Sequence, residues 1–385
     1  MRPVNAISSM LGHSKAMERP QFITPALSIL LDAVRAGAAL LVLGGHAVQT
    51  GLYTGPYPFG PTVQHHAVLV FFVLSGLVIA HSVEGGRYNL REYAIARAAR
   101  IMPVALFAVA FGSILFFVLT SNGFQPQASG EVPDRLTAAS IVMPLLFLSE
   151  SGDGVGPVWN PPYWSLSYEV WFYIIFGAAF FLRGTRRMLW VVALSMIAGW
   201  RILLMFPIWL TGAALVRHGT RWEPKGTAAL AVALCGVILL SLSRSYALIA
   251  QDMAFNFHAS FGYLARMSEY FLTDIIYGFG IALIFIAARP FAERISGSLE
   301  RAKRPIQWLA GCSFSLYILH WPMLSAMSAL GIEAGSNPLV FLAFVGGIVA
   351  TCAFIAQFTE YRSRDVRAWM RRVTARRPAA DRVSA

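Results

Sequence analysis

Apolar positions along this chain fall in long runs broken by short polar segments. About 20 mostly apolar residues are needed to cross a bilayer as a helix. Runs of that kind predict helical spans near 27–48, 65–82, 103–120, 164–182, 188–203, 205–217, 227–243, 270–288, 307–329 and 338–358. The pair from 188 to 217 is short and almost continuous. The run 138–149 is too short to cross and leads into Glu150 and Asp153, so it reads as a re-entrant or interfacial piece. The expectation is an all-α polytopic membrane protein of about ten transmembrane helices, with no internal repeat.

The charges test that pattern. Arginine and lysine concentrate in alternate connections: Arg87, Arg91, Arg97 and Arg100; then Arg183, Arg186 and Arg187; then Arg217, Arg221 and Lys225; then Arg289, Arg294, Arg301, Lys303 and Arg304. The tail adds Arg362, Arg364, Arg367, Arg371, Arg372, Arg376 and Arg377, whereas 49–63, 121–137, 149–163 and 330–337 are neutral or acidic. Basic loops stay in the cytoplasm, so the alternation places both termini there, provided 138–149 does not cross. On this reading residues 1–26 are a cytoplasmic arm, 27–358 the membrane domain and 359–385 a basic cytoplasmic tail.

Composition agrees. Of 385 residues, 57% are hydrophobic and 13% charged, against roughly a quarter charged in soluble domains. The net charge of +12 sits between apolar runs, where it sets topology and meets anionic lipid headgroups. No basic stripe with interleaved aromatics points to nucleic acid. Cys235, Cys312 and Cys352 lie inside apolar runs without metal-ligand spacing, so neither disulfide nor zinc is expected. The first 25 residues lack the apolar core of a cleavable signal peptide.

Ionisable side chains inside spans are costly and mark function. The first span holds Asp32, Arg35 and His46. Asp32 and Arg35 are spaced to pair on one helix face. Arg35 and His46 are eleven residues apart, about three turns, and so share a face roughly 16 Å apart along the axis. An anchoring arginine and an interfacial histidine are the structural alternatives. His65 and His66 read as hydrated outer-loop histidines. Ser165, Glu169 and Tyr173 follow at i, i+4 and i+8 where the fourth span opens beside Trp164. The ninth span carries Tyr317, His320 and Pro322. Glu360 is expected to pair with a flanking arginine. Arg97 and Arg100 share a face at i, i+3, either as topology signals or as a clamp for a cytosolic anion such as phosphate.

Five segments in this order resemble acyltransferase family 3 of integral membrane proteins. They are Leu31-Asp32-Ala33-Val34-Arg35 with His46; Phe71-Phe72-Val73-Leu74-Ser75-Gly76; Arg97 to Arg100 with Pro103; Trp164-Ser165-Leu166 with Glu169, Phe172 and Tyr173; and Ser313-Phe314-Ser315-Leu316-Tyr317 with His320 and Pro322. The resemblance covers about 27–358 and is weakest over 188–260. It implies a membrane acyltransferase, of the bacterial inner membrane, using cytoplasmic acyl-CoA (acetyl-CoA foremost) as co-substrate with no resident cofactor or metal. The acceptor it implies is a hydroxyl, often on a cell-surface or lipid-linked glycan. It also implies His46 as catalytic base and Arg35, Arg97 and Arg100 as donor-binding residues. Asp32, Trp164, Ser165, Tyr173, Tyr317 and His320 become supporting residues. The hydrolase-like extracytoplasmic domain of some members is not apparent here.

These features combine into an expected mechanism. Arg97 and Arg100 hold the nucleotide end and Arg35 lines the pantetheine path. His46 takes the acceptor proton as the oxygen attacks the thioester, and Glu169 orients the imidazole or acceptor hydroxyls. An acyl-enzyme on Ser165 or Ser167 has no triad pattern behind it. The alternatives are an acceptor that is a small molecule such as a macrolide, or a secondary transporter whose His, Asp and Glu relay protons. The transporter lacks paired broken spans.

Overall fold

A computed structural model describes residues 21–60, 62–84, 88–126, 135–257 and 265–375. Most of the expected N-terminal arm, together with Arg87, Arg376 and Arg377, lies outside the described residues. The helices are α1 (Pro25–Gln49), α2 (Val63–Glu84), α3 (Leu90–Ser121), α4 (Ala138–Leu145), α5 (Trp164–Phe181), α6 (Gly184–Ala198), α7 (Trp200–His218), α8 (Thr227–Phe257), α9 (Phe271–Arg294), α10 (Ser296–Gly311), α11 (Ser313–Ala329), α12 (Pro338–Ala356) and α13 (Ser363–Ala375). The fold is an all-α polytopic membrane fold. Among the described residues α1, α2, α3, α5, α7, α8, α9 and α12 are long and apolar enough to cross a membrane.

Each expected span corresponds to one helix or, at 307–329, to two, with bounds shifted in several places. The boundary expected near 204 falls at Gly199, whose φ of 86° makes a one-residue break between α6 and α7. Glycine enters that region without the Cβ clash other residues meet. The run expected at 307–329 divides at Cys312 into α10 and the 17-residue α11. The third span begins well before 103, because Asn89 caps α3 by accepting from the Glu92 amide. Arg97 and Arg100 therefore stand inside a transmembrane helix. Residues 138–149 form only the eight-residue α4, too short to cross.

Close packing relies on glycine. A Cβ on Gly76 of α2 would stand 2.0 Å from the Trp209 carbonyl oxygen, and one on Gly212 of α7 1.9 Å from the Val73 carbonyl oxygen. Small residues let helix backbones touch where lipid offers no hydrophobic drive for association. This contact brings the Trp209 indole N–H to the Ser75 hydroxyl at 3.2 Å. Gly236 of α8 and Gly280 of α9 face each other in the same way.

The two ends of the bundle are tied separately. At one end α13 docks on α3, with Arg371 and Arg367 paired to Glu92. At the other, the stretch from Leu52 to Thr54 is pinned to the turn after α11 by Thr54 N–H to Gly335 O (2.9 Å) and Ala334 N–H to Leu52 O (2.8 Å).

Gly212→Val places a branched side chain against the α2 backbone. Overpacking costs about 1–3 kcal/mol, so the variant's thermal midpoint in detergent, read by intrinsic fluorescence, should fall by several degrees. An unchanged midpoint would mean that α2 and α7 do not need this contact.

Candidate active site

His46 lies on the last turn of α1, after Gly44 and Gly45. His320 lies in the middle of α11. They are 274 residues apart in sequence, yet His46 Nδ1 and His320 Nε2 are 2.7 Å apart and their rings are nearly coplanar. Both are buried, at 9% and 1% exposure. The Trp321 ring stands edge-on to His46 at 4.6 Å. Asn160 holds this part of α11 by donating from Nδ2 to the Ile318 carbonyl at 2.9 Å.

The protons in this pair follow from one carbonyl. His320 Nδ1 is 3.1 Å from the Leu316 oxygen. A carbonyl only accepts, so Nδ1 carries the proton and Nε2 of a neutral His320 is bare. That nitrogen then accepts from His46 Nδ1–H. His46 is left with its unprotonated nitrogen at Nε2, the arrangement of a general base whose other nitrogen is held by a neighbour.

A separate chamber of about 130 Å³ opens toward the arginine-rich end. Asp32, Arg35, Arg100, Glu169, Tyr173 and Tyr317 are among its lining residues. Its carboxylates have internal partners. Asp32 pairs with Arg35 at 3.1 Å, as its spacing predicts. Glu169 accepts from the Ser75 hydroxyl at 2.7 Å and from the Tyr173 hydroxyl. Arg100 makes no ion pair or hydrogen bond among the described residues, and it lies within electrostatic reach of Arg35. At the inner wall Ser165 and Tyr317 share a hydrogen bond of 2.5 Å. Tyr317 also packs against His320, centroid to centroid 6.1 Å, and so touches both chamber and histidine pair.

Glu169 is held by Ser75 and Tyr173 in the arginine chamber, and the His46 imidazole meets His320. Two expectations change. Arg97 and Arg100 do not converge on one cavity. Arg97 lines a neighbouring groove and sits over the Tyr93 ring at 5.9 Å, so the two cations flank Tyr173 from opposite sides. Among the described residues Glu360 pairs with no arginine; it accepts from the Ser315 amide (3.1 Å) and hydroxyl (3.0 Å). Trp164 is buried against Phe72 and Tyr168 as a packing residue.

Sequence reasoning missed a second buried pair. His65 and His66 are not loop residues but open α2, and His65 Nε2 meets both oxygens of Asp274 at 3.0 and 3.1 Å. Asp274 is 2% exposed in the first turn of α9. Its signal was a lone carboxylate inside an apolar run.

The model of the acyltransferase domain matches residues 29–357. The chain belongs to acyltransferase family 3. It is a membrane O-acyltransferase. A protein described as "Protein 2 in picA locus" from Rhizobium radiobacter is 29% identical over 160 residues, which cover 38% of this chain and 78% of that protein. No solved structure matches the chain.

For this family 3 acyltransferase the pairing generates a graded expectation. His320→Ala removes the acceptor that sets the His46 tautomer, and acyl transfer per folded protein should fall by about 10- to 100-fold, a hydrogen bond's worth or two. His320→Gln, whose side-chain oxygen can accept from His46 Nδ1–H, should keep more activity. Equal rates for both variants would remove His320 from the account.

Proposed function

We propose that the enzyme moves an acyl group, acetyl in the first instance, from cytoplasmic acyl-CoA to a hydroxyl of a cell-surface or lipid-linked glycan, in the inner membrane of a bacterium. The observation that carries this reading is the contact of His46 Nδ1 with His320, whose own Nδ1 meets the Leu316 carbonyl, an arrangement that leaves His46 Nε2 to accept a proton. Both termini and the arginine-rich end then face the cytoplasm, as the basic loops require.

The chamber suits the donor's thin part. Pockets that enclose whole drug-sized ligands measure about 300–1,000 Å³, whereas this one has about 130 Å³. The pantetheine arm and acyl group enter it, and the nucleotide stays at the mouth. Arg100, without an ion-pair or hydrogen-bond partner among the described residues, meets a donor phosphate there. Arg35, oriented by Asp32, stands along the arm. The reacting carbonyl arrives beside the Ser165–Tyr317 hydroxyls, next to the histidine pair.

The acceptor comes from the other end. A pocket of about 390 Å³ there is lined by Gly45, Gln49, Tyr57, Phe59 and Gln64. The Tyr57 hydroxyl and the Gln64 amide pack against Gly44 and Gly45, directly before His46. Aromatic faces and amides are suited to a sugar's CH faces and hydroxyls. As the acceptor oxygen attacks the thioester carbon, His46 Nε2 takes its proton. The carbon–sulfur bond breaks, and the CoA sulfur leaves with that proton.

Membranes given radiolabelled acetyl-CoA test the reading. His46→Gln should lower transfer to glycan by about 100- to 10,000-fold while acetyl-CoA still binds. Near wild-type transfer by His46→Gln would dismiss it as the base. Wild-type membranes that label no glycan would dismiss the acceptor.

A further inference from the structure

The groove that takes Arg97 away from the donor chamber has chemistry of its own. It lies between α3, α5 and α6 and measures about 610 Å³. Its walls are almost wholly apolar, with Ile101, Met102, Ile174, Trp190 and Leu194 among them. Arg97 is its one cation. Among the described residues no carboxylate lies within ion-pair distance of Arg97, and its Nε is buried without a hydrogen-bond partner. The Tyr93 ring faces the guanidinium at 5.9 Å.

An uncompensated cation beside hydrocarbon is expensive, and such residues pair with something. Among the described residues no carboxylate lines this groove. Arg97 is the eighth residue of α3, so it stands about 10 Å along the helix from Leu90. A soluble anion at that depth would leave water for an apolar wall. An amphiphile loses nothing by the same move, because its tails replace lipid contacts. Leu182, at the arginine-rich end of the groove, adjoins the exposed Arg183, Arg186 and Arg187, and Arg187 donates to the Leu182 carbonyl at 2.8 Å. The groove is therefore a run of apolar surface with a cationic rim and one cation set inside.

We propose that this groove binds an anionic phospholipid, its phosphate on Arg97 and its acyl chains along α3, α5 and α6. Guanidinium matches phosphate geometry in two parallel hydrogen bonds, whereas a zwitterionic headgroup brings its own cation. Tyr173 lines both this groove and the donor chamber, and its backbone carbonyl accepts from Tyr93 at 3.0 Å. The lipid thus occupies the outer side of a wall whose inner side carries Glu169.

The test needs no turnover and is independent of the acceptor. The purified chain in neutral detergent is heated with phosphatidylglycerol, phosphatidylcholine of the same acyl chains, glycerol 3-phosphate or CoA, and its thermal midpoint is read. Phosphatidylglycerol should raise the wild-type midpoint by several degrees, and phosphatidylcholine by clearly less. Arg97→Gln should lose most of that rise and Arg97→Lys regain part of it. Ala98→Trp, which fills the groove and keeps the charge, should lose it as well, so a poorly folded Arg97→Gln leaves a second readout. An equal rise in wild type and both Arg97→Gln and Ala98→Trp would overturn the proposal. A rise from glycerol 3-phosphate matching that from the lipid would assign the site to free phosphate. A CoA-induced rise lost in Arg97→Gln would return Arg97 to the donor.

Discussion

The Leu316 carbonyl fixes the proton on His320, and that proton decides which nitrogen of His46 is free. Two neutral imidazoles 2.7 Å apart admit only one donor between them. A buried helix carbonyl bonded to His320 Nδ1 removes the remaining choice. The pair also joins α1 to α11 inside the membrane, where any polar group without a partner is costly. Asn160, Trp321 and the Ser165–Tyr317 hydroxyls surround it and hold α11 in register with α1 and α5.

The same constraint sorts the charges. In hydrocarbon each carboxylate must find donors, and here two of them find neutral ones: Glu169 in Ser75 and Tyr173, Glu360 in Ser315. Asp32 takes Arg35 instead, and Glu92 near the start of α3 takes Arg367 and Arg371. Among the described residues Arg100 and Arg97 have no carboxylate partner, and one lines the chamber and the other the apolar groove. Glycine packing makes this possible. Ser75 reaches both Glu169 and Trp209 because Gly76 and Gly212 let α2 and α7 touch.

Most of the fold was legible in the sequence because hydropathy acts locally. A run of apolar residues is a span whatever it packs against, and the shortness of 138–149 already ruled out a crossing. The break at Gly199 was less visible, since one residue in a left-handed conformation leaves no gap in hydrophobicity. The site divided along the same line. The Asp32–Arg35 pair follows from helix spacing and stands as read. Contacts between distant segments did not follow. His46 and His320 are 274 residues apart, and His65 and Asp274 are 209 apart. Nothing in either local pattern names its partner. Helical spacing also put Arg97 and Arg100 on one face correctly enough, yet a face wide enough for both can border two cavities, and Tyr173 stands between them.

The most direct measurement of the central claim is the ring nitrogen chemical shifts of histidine-labelled protein, with His46 and His320 assigned by single substitution. The account predicts that both rings are neutral and carry their proton on Nδ1, with His46 Nε2 showing the shift of an unprotonated nitrogen. A protonated Nε2 on His46 would contradict it, because the nitrogen assigned to take the acceptor proton would already hold one.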